Sequence, residues 1–212
     1  VVSSSLSLLA NASGATPYSS DLAEMLELSR QEVSRMIRLI SEMLDVKKIV
    51  AGNYLLRYSQ VRLSTLLDKV QGSFRNLAAS ANIELRCLCE SDEFEVYCDE
   101  DKIFQVLVNL VSNALKFAPA DSMIELRSEM LNSSAVKISV TDSGPGIPAA
   151  ETERIFEDYH QILYNGAASH GTGLGLPISK AIIEKHNGVI GVDSASGKGS
   201  TFWFRIPAAQ KQ

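Results

Sequence analysis

The 212-residue chain carries 20 Lys and Arg against 25 Asp and Glu, a formal net charge of −5, with 45% hydrophobic and 21% charged residues. That balance belongs to a globular protein of one to two domains with a core of its own. It holds no basic stripe for nucleic acid, no apolar run approaching the roughly 20 residues of a membrane span, and no basic start of a signal peptide over residues 1–10. The chain begins without Met and in mid-pattern, which reads as a fragment of something longer.

Residues 1–52 differ from the rest. Leu6, Leu8 and Leu9 end a short apolar segment, and a loop rich in Ser, Gly, Ala and Pro follows to residue 20. Asp21 with Glu24 three residues on resembles a capping box. Leu26, Ser29, Val33, Met36, Ile40 and Met43 then recur at alternating three- and four-residue steps, the period of a bundle seam. This predicts a helical hairpin that dimerises as a four-helix bundle, its first helix represented only by a tail.

Gly52 and Asn53 mark a break, and residues 53–212 alternate strand and helix patterns. The patterning predicts a strand at 55–58, a helix at 64–81, strands at 83–89 and 94–98, and a helix at 101–117. A hairpin of strands 123–131 and 136–141 follows, turning at Asn132, Ser133 and Ser134. Next come a short helix at 149–156, a polar Gly-containing stretch at 157–170, a helix at 174–186, and strands at 189–194 and 201–206. Hairpins plus helices predict an α+β fold: a two-layer α/β sandwich, with helices on one face of a mixed sheet. Cys87 and Cys89 alternate with Ile83 and Leu85 on one strand face, so the three cysteines read as small buried residues rather than metal ligands. An odd cysteine count without a signal peptide points to a reducing, cytoplasmic compartment.

Three segments carry polar chemistry. On helix 101–117, Asn109, Asn113 and Lys116 stand at i, i+4 and i+7 and share one face. Two amides and an ammonium suit a metal-bound phosphate. Asp142 ends an alternating strand and is followed by Gly144, Gly146 and Ile147. Such a carboxylate could accept a hydrogen bond from the exocyclic amine of adenine, or simply close an Asx turn. Gly171, Thr172, Gly173, Leu174, Gly175 and Leu176 form a glycine-rich turn running into a helix, where backbone amides meet anions. Its spacing is G-x-G-x-G after a polar loop, which fits neither a dinucleotide fingerprint nor a P-loop.

Together these segments resemble the catalytic core of sensor histidine kinases. The matching phrases are Asn109 to Phe117 (the N box), Asp142 to Pro148 (G1), Ile155-Phe156-Glu157 (F), Gly171 to Leu176 (G2) and Gly197 to Phe202 (G3), in the family's order. The resemblance implies ATP and Mg2+ as ligands. Asn113 would be the principal Mg2+ ligand, with Asn109 and Lys116 around the ion or the phosphates and Phe117 beside them. Asp142 would bind the adenine amine in a pocket shaped by Gly144, Gly146 and Ile147, with Thr201 near the base. Residues 157–170 would form an ATP lid anchored by Phe156 and hinged by Gly171, Gly173 and Gly175. The F phrase departs from the family in having Asp158 where Pro or Gln is more usual.

The resemblance also implies a response regulator receiver domain as partner, a homodimer through the helical bundle, and a parent protein that could be membrane-anchored although this stretch has no membrane contact. The acceptor motif H-E/D-x-x-T-P is absent. The three histidines are His160 and His170 in the expected lid and His186 at a helix C-terminus, where a cation would suit the dipole. No catalytic residue is therefore assigned. The chain reads as the ATP-binding region of a histidine kinase that cannot phosphorylate itself, or as a nucleotide-gated regulatory pseudokinase. A gyrase- or chaperone-type ATPase fits poorly, because residues 105–109, a turn before Asn113, hold no acid.

Overall fold

The computed structural model describes residues 55–90, 95–132, 134–164, 167–168 and 172–208, with positions 25, 26, 29, 30, 33 and 36 nearer the N-terminus. The chain divides into two compact units, Val1–Gly52 and Asn53–Gln212. In the first, the six described positions are all helical. They include Leu26, Ser29, Val33 and Met36 of the expected seam; the rest of the hairpin lies outside the described residues.

The second unit is built on a five-stranded mixed sheet. Its strands are β2 (Glu84–Cys89), β4 (Met123–Asn132), β5 (Ala135–Asp142), β8 (Val189–Ser194) and β9 (Ser200–Pro207), in the order β2-β4-β5-β9-β8. Only the β2–β4 pair is parallel. Among the described residues three α-helices accompany it: α1 (Leu63–Ser80), α2 (Glu100–Phe117) and α3 (Gly175–Lys185).

The core follows from two periods meeting. Strand alternation buries Val136, Ile138, Val140 and Asp142 of β5 and Phe202, Phe204 and Ile206 of β9 on one face. Helical spacing on α2 buries Ile103, Val106, Leu107, Leu110, Val111 and Ala114. Each larger apolar side chain of that stripe contributes about 1.5–3 kcal/mol by leaving water, so α2 is held mainly by its core face. Asp99 caps it, accepting the Lys102 N–H at 3.1 Å. The helix thus delivers Asn109, Asn113 and Lys116 at a fixed rotation about its axis.

Several sequence expectations need correction. The strand expected at 55–58 forms four residues later, as β1 (Ser59–Arg62), paired with β3 (Glu95–Cys98) in a separate two-stranded sheet. Residues 55–58 are instead held by contacts outside a ladder: the Arg57 N–H donates to Asp99 at 2.8 Å and the Tyr58 hydroxyl to the Lys185 carbonyl at 3.1 Å. The helix expected at 149–156 is two 3-10 turns, Ala149–Glu151 and Arg154–Phe156, too short for an α-helical ladder. Within 157–170, β6 (Leu163–Tyr164) and β7 (Ala167–Ala168) form a minimal antiparallel pair.

Cys98 is buried and Cys87 and Cys89 half-buried. Burial pushes the Cys87 and Cys98 thiols up to about 12, which keeps both protonated and inert. Among the described residues no helix is long and apolar enough to cross a membrane, and no group of three His, Cys, Asp or Glu could hold a metal.

Candidate functional site

One end of the site is the terminus of β5. Asp142 is 7% exposed, and its Oδ1 accepts the Gly144 N–H at 2.7 Å. This is the Asx turn that the sequence allowed. Burial raises the carboxyl above its ordinary range, and the backbone amides of Gly144 and Ser200 oppose that rise. Gly144 sits between the Asp142 carboxylate and the Phe117 carbonyl; a Cβ there would stand 2.7 Å from the first and 2.9 Å from the second. Gly146 has φ +69°, and a Cβ would come within 2.0 Å of the Ala195 carbonyl oxygen. It is therefore confined to glycine twice over, by conformation and by space. Ile147, buried, donates its N–H to Ser194 Oγ at 2.8 Å.

Thr201 does not stand with Asp142. The β5–β9 register pairs Asp142 with Ser200 and Thr141 with Thr201. Strand alternation then puts Thr201 on the opposite face, hydrogen-bonded to Thr141 at 3.0 Å. Ser200, 7% exposed and on the Asp142 face, is the residue that the sequence reading passed over by one position. Strand period counted from Phe202 and Phe204 could have found it.

The other end lies where α2 meets α3. Asn109 Nδ2 donates to Ser179 Oγ at 2.9 Å, and Ser179 Oγ donates to the Gly175 carbonyl at 2.9 Å. A Cβ on Gly175 would stand 2.3 Å from Asn109 Oδ1, so the first turn of α3 rests on Asn109. Asn109 is thereby a brace between helices as well as a candidate contact. Ser179 carries no motif that would have flagged it. Asn113 is half-buried and Lys116 exposed on the same helix face. The Lys116 Nζ lies 5.0 Å from the Phe117 ring centroid, and partial burial lowers its pKa.

Leu174 ends the turn as the residue before α3, and its own apolar side chain supplies no cap. Thr172 Oγ1 accepts the Leu174 N–H at 3.1 Å, and Leu174 is buried while Leu176 is half-buried. The remaining first-turn amides carry the positive end of the helix dipole, the arrangement that meets a phosphate. The carbonyl of Gly173 accepts the Tyr159 N–H at 3.1 Å, fastening the base of segment 157–170 to this turn. Phe156 is half-buried beside buried Ile155. His160 Nε2 lies 2.5 Å from Glu151. Gly171 and His170 fall outside the described residues.

His186 is structural, though not as a cation. It is 3% exposed; its Nδ1–H donates to the Ile182 carbonyl at 2.8 Å, and its Nε2 accepts the Asp99 N–H at 3.0 Å. An imidazole that must accept at one nitrogen is neutral, and burial lowers its pKa in agreement.

Residues 98–210 match the sequence model of the histidine kinase-, DNA gyrase B- and HSP90-like ATPases, and the chain belongs to that family. Its catalytic ATP-binding region is of the sensor histidine kinase kind. The chain is 34% identical over 193 residues to the adaptive-response sensory kinase SasA of Microcystis aeruginosa, spanning 91% of this chain and 50% of that protein. It thus covers about half the length of the SasA proteins it matches. Among solved structures it is similar to full-length ShkA in complex with AMPPNP, at TM-score 0.80 and 25% identity over 100% of this chain and 47% of that one. It is also similar to the histidine kinase ThkA in complex with the response regulator TrrA, at TM-score 0.67 and 27% identity over 98% and 57%.

Proposed function

We propose that residues 53–212 bind Mg-ATP between the Asp142 turn and the first turn of α3, and that the protein uses it as a sensor histidine kinase does. The γ-phosphoryl group passes to a histidine and then to an aspartate of a response regulator receiver domain. The observation that carries this reading is the arrangement of Asp142, in its glycine-lined turn, with the N-terminus of α3 and the amide face of α2. It is a base-reading acceptor, a phosphate seat and a metal-ligating face in one domain. The family membership and the AMPPNP complex of ShkA support it.

Asp142 accepts the adenine amine, with Gly144, Gly146 and Ile147 shaping the pocket and Ser200 on the same sheet face. The α3 amides, with Gly173 and Gly175 at the turn, receive the phosphates, and segment 157–170 covers them. Asn113 offers an amide oxygen, a hard ligand that fits Mg2+; Asn109, braced on Ser179, stands one turn away and Lys116 adds charge. The ion, when bound, neutralises the phosphate oxygens along which charge develops. Positioning and charge neutralisation are then the chain's contribution. The acceptor histidine comes from an H-E/D-x-x-T-P helix that this sequence does not contain. The helical unit 1–52 serves dimerisation, and the domain works in the cytoplasm. ThkA's complex with TrrA supports the regulator partner.

Incubation of the chain with γ-labelled ATP tests the division of labour. Mg-ATP binds, yet no acid-labile label stays on the chain. Label on the chain would contradict the assignment of its histidines. The second reading, a nucleotide-gated scaffold, is favoured by His160 and His186 each having a structural partner. It predicts ATP binding without phosphotransfer to a separately supplied acceptor helix.

A further inference from the structure

The Asp142 turn does not stand alone; it is bound to the turn between β8 and β9 through one hydroxyl. Ser194, the last residue of β8, accepts the Ile147 N–H at 2.8 Å and donates to the Gly199 carbonyl at 2.7 Å. Its third contact is Ser200 Oγ at 3.0 Å. A serine hydroxyl has one proton and two lone pairs, so with the Ser200 hydroxyl as donor these three contacts use its whole capacity. The groups it joins belong to the two segments that meet at Asp142. Ile147 closes the turn that Asp142 opens, and Ser200, paired with Asp142 in the ladder, helps hold its carboxylate through its backbone amide. The two turns also meet directly, with the Gly197 N–H donating to the Pro145 carbonyl at 2.7 Å.

We infer that Ser194 is a positioning residue for adenine recognition: it fixes the two turns whose separation aims the Asp142 carboxylate at the exocyclic amine. This rests on the ATP site proposed above. Ser194 touches no part of the proposed nucleotide itself; it acts through Ile147, Gly199 and Ser200. Removing its hydroxyl leaves the Ile147 N–H and the Gly199 carbonyl without that partner and loosens the turns about their remaining Gly197–Pro145 bond. The phosphate end, carried by α2 and α3, keeps its geometry.

The test compares ATP with inosine triphosphate, which has a carbonyl where adenine has its amine. Affinities of the whole chain for both, with Mg2+, are measured by calorimetry for the native sequence and for Ser194→Ala. Ser194→Ala is expected to weaken ATP by about five- to tenfold, the worth of one hydrogen bond, and inosine triphosphate by less than twofold. A serine that merely stabilised the domain would weaken both by the same factor, and equal weakening, like no change, overturns the inference. If Ser194→Ala loses its cooperative unfolding transition, Ser194→Cys, which keeps a weak donor and acceptor, is read by the same ratio. Failure of the native chain to bind either nucleotide overturns the ATP site itself; native binding with an unshifted ratio in the variant overturns only the role of Ser194.

Discussion

At the Asp142 end of the site, two strands and two turns are joined by the Gly144 N–H to Asp142, the Ile147 N–H to Ser194 and the Gly197 N–H to the Pro145 carbonyl. At the α3 end, Asn109 and Ser179 brace the two helices, while the residue that precedes the helix, Leu174, has no side-chain acceptor to offer its first turn. The difference teaches how such a site divides its work. In the proposed site the base would be read by groups already locked to one another, so little ordering would remain for binding to cost. The phosphates would be met by backbone amides at a helix N-terminus.

Breaking the first end has the largest effect. Asp142→Ala is expected to lower ATP affinity about 100-fold, because it removes the buried carboxylate acceptor proposed for the adenine amine, while the Tm stays near the native value; calorimetry and a thermal melt check both. Asn113→Ala comes next. It lowers affinity at least tenfold when Mg2+ is present and changes the metal-free value little, which a pair of titrations with and without Mg2+ resolves. Gly146→Ala sharpens the comparison through stability. The strained φ and the clash with the Ala195 carbonyl destabilise the domain by about 2 kcal/mol, read from urea unfolding, with no corresponding loss from Gly72→Ala in mid-helix, where a Cβ meets nothing within 4 Å.

The smallest expected effect lies away from both ends. His186 is neutral when folded and its pKa is lowered by burial, so the unfolded chain binds its proton more readily than the folded one. Stability from this group is complete above the ordinary histidine pKa of 6.5 and is lost as the pH falls toward the folded value. Urea midpoints at pH 7.5 and at pH 5.5 measure the loss. His186→Gln, which never titrates, reduces the difference between them; an undiminished difference assigns it to other groups.

The long elements were legible because their patterns repeat several times. The stripe on α2 runs from Ile103 to Ala114, about three turns, and the alternation of β5 over four buried positions, and the structure places both elements within a residue of the expected bounds. Short segments were not. Residues 55–58 do not form the expected strand: four residues, Leu-Leu-Arg-Tyr, carry too short a pattern to say whether their backbone bonds run to a strand or to Asp99. The site shows the same split. Spacing was enough to set Asp142 at a strand end before Gly146 and Asn109 on the polar face of α2, and the structure has them there. The resemblance named Thr201, but the register pairs Ser200 with Asp142, and one residue changes the face of the sheet. Ser179 and Ser194 were invisible, since an isolated serine acquires meaning only from what folding brings beside it.

The central claim is that one nucleotide spans both ends. Calorimetric titration of the 212-residue chain with ATP, with and without Mg2+, for the native sequence, Asp142→Ala and Asn113→Ala tests it most directly. The account predicts a single site that is tightened by Mg2+, nearly lost in Asp142→Ala, and stripped of its Mg2+ dependence in Asn113→Ala. Affinity unchanged by Asp142→Ala, or Mg2+ dependence unchanged by Asn113→Ala, would contradict it.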